Sequence, residues 1–133
     1  MAGFAGSAYA ESSDEITIWH DPNCGCCSAY AAYLEGENFH VTKVADPDFA
    51  ARSLKVGLTE DTMGCHLAQI DGYYVSGHVP SEIIQRLLKE RPDVDGITLP
   101  GMPDNSPGMA EVKTGTLKVL AFNDGKTRVY SEE

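Results

Sequence analysis

The sequence contains no run of the roughly 20 apolar residues that a helix needs to cross a bilayer, which argues against membrane insertion. Basic residues are few: ten lysines and arginines stand against twenty acids, a net charge of −10, and the ten are scattered. That balance excludes nucleic acid and other polyanions as partners. It suits a solvated acidic exterior with a mild attraction for cations. No heptad pattern and no apolar surface stripe stand out, so a monomer is expected, and the only repetition is a doubled Gly-Met at 101–102 and 108–109. Cysteine is scarce too, but the four present are not spread out: three are Cys24, Cys26 and Cys27, and the fourth is Cys65 beside His66. The 133 residues, 42% of them hydrophobic, suffice for one domain with a single core.

The first ten residues are small or apolar and carry no charged side chain, and Glu11-Ser12-Ser13-Asp14-Glu15 follows. Ala8-Tyr9-Ala10 fits the small-x-small pattern of a signal-peptidase site, although no basic segment precedes it. Residues 1–15 are therefore read as a disordered tail or the remnant of an export signal. Export would place the chain in an oxidising compartment, where unpaired thiols are at risk unless bridged or metallated.

Beyond the tail, Ile16–Trp19 is a β-rich run that Asp21-Pro22-Asn23 ends. A helix is expected from about Cys27 to Glu35, with Gly36 as its stop. Phe39–Val44 reads as a strand by alternation, and Asp46-Pro47 as the cap and first turn of a helix reaching Leu54. Asp71-Gly72 joins strands at 67–70 and 73–75 as a hairpin. Ser81 is expected to cap a helix with Ile83, Ile84, Leu87 and Leu88 as its buried stripe, closed by Pro92. Residues 93–111, rich in glycine and proline, read as a long functional loop. Two further strands meet at Asn123-Asp124-Gly125. The order β-α-β-α-β-β-α is that of a thioredoxin-like domain: an α/β fold with helices on both faces of the sheet. The expected organisation is a domain over 16–92 and a C-terminal extension over 93–133, a Gly/Pro loop and a β-hairpin, packed on the same domain. The cysteine group then lies where the first strand hands over to the first helix, at an end of the sheet where ligand chemistry collects.

Cys24 and Cys27 have the C-x-x-C spacing of a dithiol and can share one helix face. Unpaired N–H groups at a helix start favour thiolates. Both are candidate catalytic residues. Cys26 points about 100° around the helix, and a dithiol exchanger gains nothing obvious from a third thiol. A site for a soft metal does, since thiolates select Cu(I), zinc and iron–sulfur centres. The segment Gly64–Gly72 resembles the stretch of glutaredoxins and thioredoxins that runs from the cis-proline into the third strand. Here His66 takes the proline's place and Cys65 the residue before it. This departure adds a thiolate and an imidazole facing the cysteine loop. Met102 and Met109, in Pro-Gly-Met contexts, offer thioethers suited to Cu(I). Met63 and His20 are weaker candidates. His78 reads as a turn residue or one behind the ligands, and His40 as surface.

The segments at 21–27 (D-P-N-C-G-C-C), 64–66 (G-C-H), 71–80 (D-G-Y-Y-V-S-G-H-V-P), 87–92 (L-L-K-E-R-P) and 100–109 (P-G-M-P-D-N-S-P-G-M) together resemble the CopG-type copper-resistance proteins, a periplasmic thioredoxin-like family. With the final hairpin the resemblance covers nearly all of 16–130. It implies copper ligands at Cys24, Cys26, Cys27 and Cys65, then His66, Met102 and Met109. It implies a copper oxidoreductase role, interconverting Cu(I) and Cu(II) in copper resistance, with periplasmic copper efflux components as candidate partners. Four thiols, two thioethers and an imidazole exceed the needs of one Cu(I), so more than one ion in a polynuclear site is expected. Two alternatives stay open: a thiol–disulfide oxidoreductase of the thioredoxin type, and a passive copper chaperone or buffer.

Overall fold

The computed structural model describes residues 15–23, 25–100 (25 and 26 as backbone alone), 105–107 and 115–132. The described residues form a mixed α/β fold of seven strands and three helices. Strand β1 is Glu15–His20, helix α1 Gly25–Gly36, β2 His40–Ala45 and α2 Phe49–Lys55. The hairpin β3 (His66–Ile70) and β4 (Tyr73–Ser76) leads to α3, Ser81–Glu90. Then come β5 (Gly96–Thr98), β6 (Lys118–Asn123) and β7 (Lys126–Glu132). One sheet holds all seven strands in the order β2-β1-β3-β4-β5-β6-β7. β1 runs parallel to β2 and antiparallel to β3, and β4 runs parallel to β5. No described helix is long and apolar enough to cross a membrane.

Alternation along the strands divides the buried residues. Ile16, Ile18, Ala68, Ile70, Val75, Ile97, Val119 and Ala121 join Tyr30 and Leu34 of α1 and Ile83, Ile84 and Leu87 of α3 in the main core. Residues of the opposite strand parity, Leu67 and Phe122, form a smaller cluster with Leu58, against which Trp19, Met63 and Tyr74 pack. The stripe expected on α3 is there, with Leu88 only partly buried at its margin.

Both hairpins turn where expected. Asp71 and Gly72 have φ of 49° and 88°, and Asp124 and Gly125 54° and 78°, the positive values a type I′ turn requires. Three expectations shift. Helix α2 starts at Phe49, later than Asp46-Pro47 suggests, because the Asp46 carboxylate accepts the Asp48 N–H at 2.9 Å and so forms a side-chain turn before the helix. Pro80, in extended conformation, is the N-cap of α3 in place of Ser81. The Ser81 hydroxyl instead donates to Glu37 at 3.0 Å, tying α3 to the end of α1. The Gly/Pro-rich stretch after residue 93 also contains a strand, β5, which extends the sheet. A Cβ at Gly96 would meet the Tyr74 carbonyl oxygen at 2.0 Å, so glycine is what lets β5 lie against β4 there. The expected tail, 1–15, falls outside the described residues except for Glu15, which opens β1.

Candidate metal centre

The site forms where β1, α1 and the β3–β4 hairpin meet. β1 ends at His20, whose ring Nδ1 donates to the Asp21 carbonyl at 2.9 Å. Asp21 accepts the Asn23 N–H at 2.8 Å, closing the turn that leads into α1. Cys27 lies in the first turn of α1 and is 1% exposed. The unpaired N–H groups of a first turn favour negative charge, and no acidic residue occupies that turn to compete for it.

From the other side, Cys65 and His66 arrive at the start of β3. Their path depends on two glycines. A Cβ on Gly64 would lie 2.3 Å from the Gly77 Cα, and Gly77 itself has a φ of +81°. Backbones that close bring the segment before β3 against the segment after β4. The Gly64 N–H donates to the Ser76 hydroxyl at 2.8 Å and the Gly77 N–H to the His66 carbonyl at 3.3 Å. Cys65 thereby faces His78.

Four side chains converge. The Cys27 and Cys65 sulfurs are 3.8 Å apart. His66 Nδ1 lies 3.8 Å from Cys27 Sγ and 3.5 Å from Cys65 Sγ. His78 Nε2 lies 3.0 Å from Cys65 Sγ. The other ring nitrogen of His78 is 2.7 Å from the Pro107 carbonyl. A carbonyl only accepts, so Nδ1 carries a proton, and in a neutral ring Nε2 presents its lone pair to the thiol. Tyr30, one turn beyond Cys27, stacks on the His78 imidazole and lies tilted against that of His66, with centroids 4.9 Å away in each case.

His66 is fully buried, and its pKa is lowered to about 3. Burial is the main cause; the nearby rings of His78 and His20 add to it, and the Gly77 backbone opposes it. The imidazole is therefore neutral at physiological pH, the form that ligates metals. Its Nε2 is buried without a hydrogen-bond partner among the described residues.

This donor set fits a soft metal ion. Donor atoms of Cys27, Cys65 and His66 all lie within 4.8 Å of one another. Ligands bound at about 2.0–2.3 Å in trigonal or tetrahedral array sit roughly 3.3–4.0 Å apart, and the three contacts span 3.5 to 3.8 Å. Two sulfurs and a neutral imidazole suit copper or zinc and offer little to calcium or magnesium.

Of the residues expected from sequence, Cys27, Cys65 and His66 come together. Cys24, Met102 and Met109 lie outside the described residues, as does the side chain of Cys26. Met63 packs on the smaller cluster with Leu58, Leu67 and Phe122, as an apolar filler. His20 pairs with His66 in the β1–β3 register, and His40 is exposed on edge strand β2. His78 is the residue that sequence reasoning undervalued. The signal was available: in a two-residue hairpin turning at Asp71-Gly72, extending the pairing two residues past Leu67–Ser76 sets Cys65 opposite His78.

No curated protein sequence matches the chain. A family model described as a protein of unknown function, DUF411, matches residues 62–109. That span includes Cys65, His66, His78 and Pro107. Two solved structures titled copper resistance protein copG, Form 1 and Form 2, superpose with a TM-score of 0.80 at 36% identity. Each comparison covers 90% of this chain and 96 to 97% of the other. At that identity over nearly its whole length, the chain belongs to the family of copper resistance protein CopG.

Proposed function

We propose that the chain binds copper in a cysteine-rich, polynuclear site and interconverts Cu(I) and Cu(II) as a periplasmic copper-resistance protein. The observation that carries this reading is the convergence of Cys27, Cys65 and His66 within 4.8 Å. In the same reading Cys24, Cys26, Met102 and Met109 complete the ligand set, and Cys24 and Cys27 are the redox-active thiolates. His78, which faces Cys65 at 3.0 Å, joins them as a further nitrogen donor. Copper bound by these thiolates and imidazoles would supply one-electron chemistry. The protein's share is to exclude water from the sulfurs and to keep His66 uncharged.

The proposal extends to the frame. Residues 16–92 act as a thioredoxin-like domain with helices on both faces, and 93–133 as an extension that closes the site. The two apolar clusters of opposite strand parity support that reading, and so does the hydrogen bond from His78 to Pro107 of the extension. The chain acts as a monomer, with copper efflux components as its partners.

Thiol–disulfide exchange is separated from copper binding by an assay with a model disulfide, which an oxidoreductase would reduce with Cys24 and Cys27 alone. Passive buffering is separated from redox turnover by following Cu(I) consumption under oxidant. The decisive experiment is metal analysis of aerobically purified protein together with its absorption spectrum. The expected result is more than one copper per chain with sulfur-to-copper charge-transfer bands, both reduced in Cys65→Ser. A Cys65→Ser protein with the parent's copper content and bands refutes the site.

A further inference from the structure

Tyr30 is fully buried, yet copper binding as proposed gives it no ligand role. Its ring lies 4.9 Å from His78 at an interplanar angle of 17°, and 4.9 Å from His66 at 32°. The imidazoles are themselves 5.4 Å apart, so the three rings form one aromatic cluster with Tyr30 in contact with both histidines. Its hydroxyl donates to the Val79 carbonyl at 2.5 Å, next to His78 in sequence. Tyr33 stacks on it at 5.9 Å, further along α1.

We propose that Tyr30 is a positioning residue of the metal centre: its ring fixes the planes of His66 and His78 relative to the two sulfurs. Three features support the assignment. Tyr30 lies three residues after Cys27, so one helix face delivers both the thiol and the ring. The χ2 angle of histidine is broad and roughly two-fold, so an imidazole needs a wall to hold one orientation. His66 Nε2 has no hydrogen-bond partner among the described residues, so beyond the long sulfur contacts of Nδ1 it is the Tyr30 ring that walls in that imidazole. An electron-relay role for Tyr30 is disfavoured by the same geometry. An oxidised tyrosine must release its phenolic proton, and the Val79 carbonyl that receives the hydrogen bond is not a base. Burial raises the phenol pKa well above 10, in agreement.

This inference deepens the copper reading and rests on it for its consequence, but its first test needs no metal. In metal-free protein, long-range ¹H–¹⁵N spectra of the imidazoles should show His78 as one tautomer with the proton on Nδ1. The carbon-bound protons of both rings should be displaced by the Tyr30 ring current. Tyr30→Phe should retain the displacement and the single set of signals. Tyr30→Leu, with a native circular dichroism spectrum, should broaden or double the imidazole signals. After loading with Cu(I), it should lose copper to a chelator about tenfold faster, and its oxidised form should show shifted charge-transfer bands. Folded Tyr30→Leu with the parent's imidazole signals overturns the proposal. So does a Tyr30→Phe variant as disturbed as Tyr30→Leu, since the hydroxyl and not the ring would then be responsible. If Tyr30→Leu does not fold, the parent spectrum still decides: imidazole protons without ring-current displacement overturn the assignment. A parent that keeps ordered imidazoles but takes up no copper refutes the copper reading and leaves the ring-positioning role standing.

Discussion

The neutral, buried His66 should make the metal-free protein lose stability as pH falls through the mildly acidic range, and the amount follows from its pKa. In the unfolded chain the imidazole titrates near 6.5, whereas in the fold it is held at about 3. Between those values the unfolded state binds a proton that the folded state refuses. Stability therefore rises with pH across that window, with a limiting slope of about 1.4 kcal/mol per pH unit. The contribution is fully present above the unfolded pKa and is lost progressively below it, until the folded ring itself protonates. From pH 7.5 to 5.5 the His66 share comes to about 1.4 kcal/mol, and from pH 7.5 to 4.5 to about 2.7 kcal/mol. The assay is urea unfolding of chelator-treated protein at pH 7.5, 5.5 and 4.5, for the parent and for His66→Gln. The carboxylates and the other three histidines are common to both, so the difference between their pH slopes isolates His66. His66→Gln is expected to be less stable at pH 7.5, since glutamine brings a buried amide, yet its slope should be shallower by the amounts above. Parallel curves for parent and variant would mean that His66 is protonated or solvated in the fold, and the reasoning from burial would fail.

Three further outcomes are expected. Ile84→Ala, at a fully buried position of α3, should lower unfolding free energy by about 2–5 kcal/mol in denaturant titration without changing copper content. Gly64→Ala should be worse than a helix or loop alanine elsewhere: its Cβ would fall 2.3 Å from the Gly77 Cα and 2.6 Å from the Gly77 nitrogen, both backbone atoms. The backbone shift should cost about 2 kcal/mol or more and weaken copper retention by separating Cys65 from His78, as chelator competition would read. Pro107→Ala should keep the carbonyl that His78 uses and leave metal-free His78 as the Nδ1–H tautomer, whereas His78→Phe should lower the copper content of purified protein.

Much of the frame could be read from local chemistry. The two I′ turns declared themselves as Asp-Gly pairs between alternating runs, and the apolar spacing of α3 matched its buried face. What escaped was set by tertiary contact. β5 has three residues and begins with a glycine chosen for the approach of Tyr74 and Phe122, so it carries no periodicity to detect. β2 lies at the sheet edge and is largely exposed, so its alternation marks the strand without marking a core face. The starts of α2 and α3 were misplaced because Asp46 and Ser81 spend their side chains on a turn and on Glu37.

The candidate site divides along the same line. Cys27, Cys65 and His66 were legible because residue type alone singles out thiols, and strand order brings the two segments together. His78 was discounted as a turn residue because its neighbours, Gly77 and Pro80, are turn formers. Yet those neighbours are why it can serve. Gly77 admits the close approach of Gly64, and Pro80 starts α3 immediately afterwards, so His78 is held between a fixed crossing and a fixed helix start. Its tautomer is then set by Pro107, which is distant in sequence and invisible to any local pattern. A donor set spread over α1, the start of β3 and the β4–α3 connection has an energetic consequence. Any ion it binds adds a direct link among three parts of the chain, on top of the sheet pairing and core packing that already join them. Binding to the folded form alone raises apparent stability by RT ln(1 + [L]/Kd), so a metal held a thousandfold below its working concentration would add about 4 kcal/mol. That gain exceeds the acid loss worked out for His66 over three pH units, so metal-loaded protein should resist mild acid that destabilises the metal-free form, down to the pH at which protons displace the ion from its ligands.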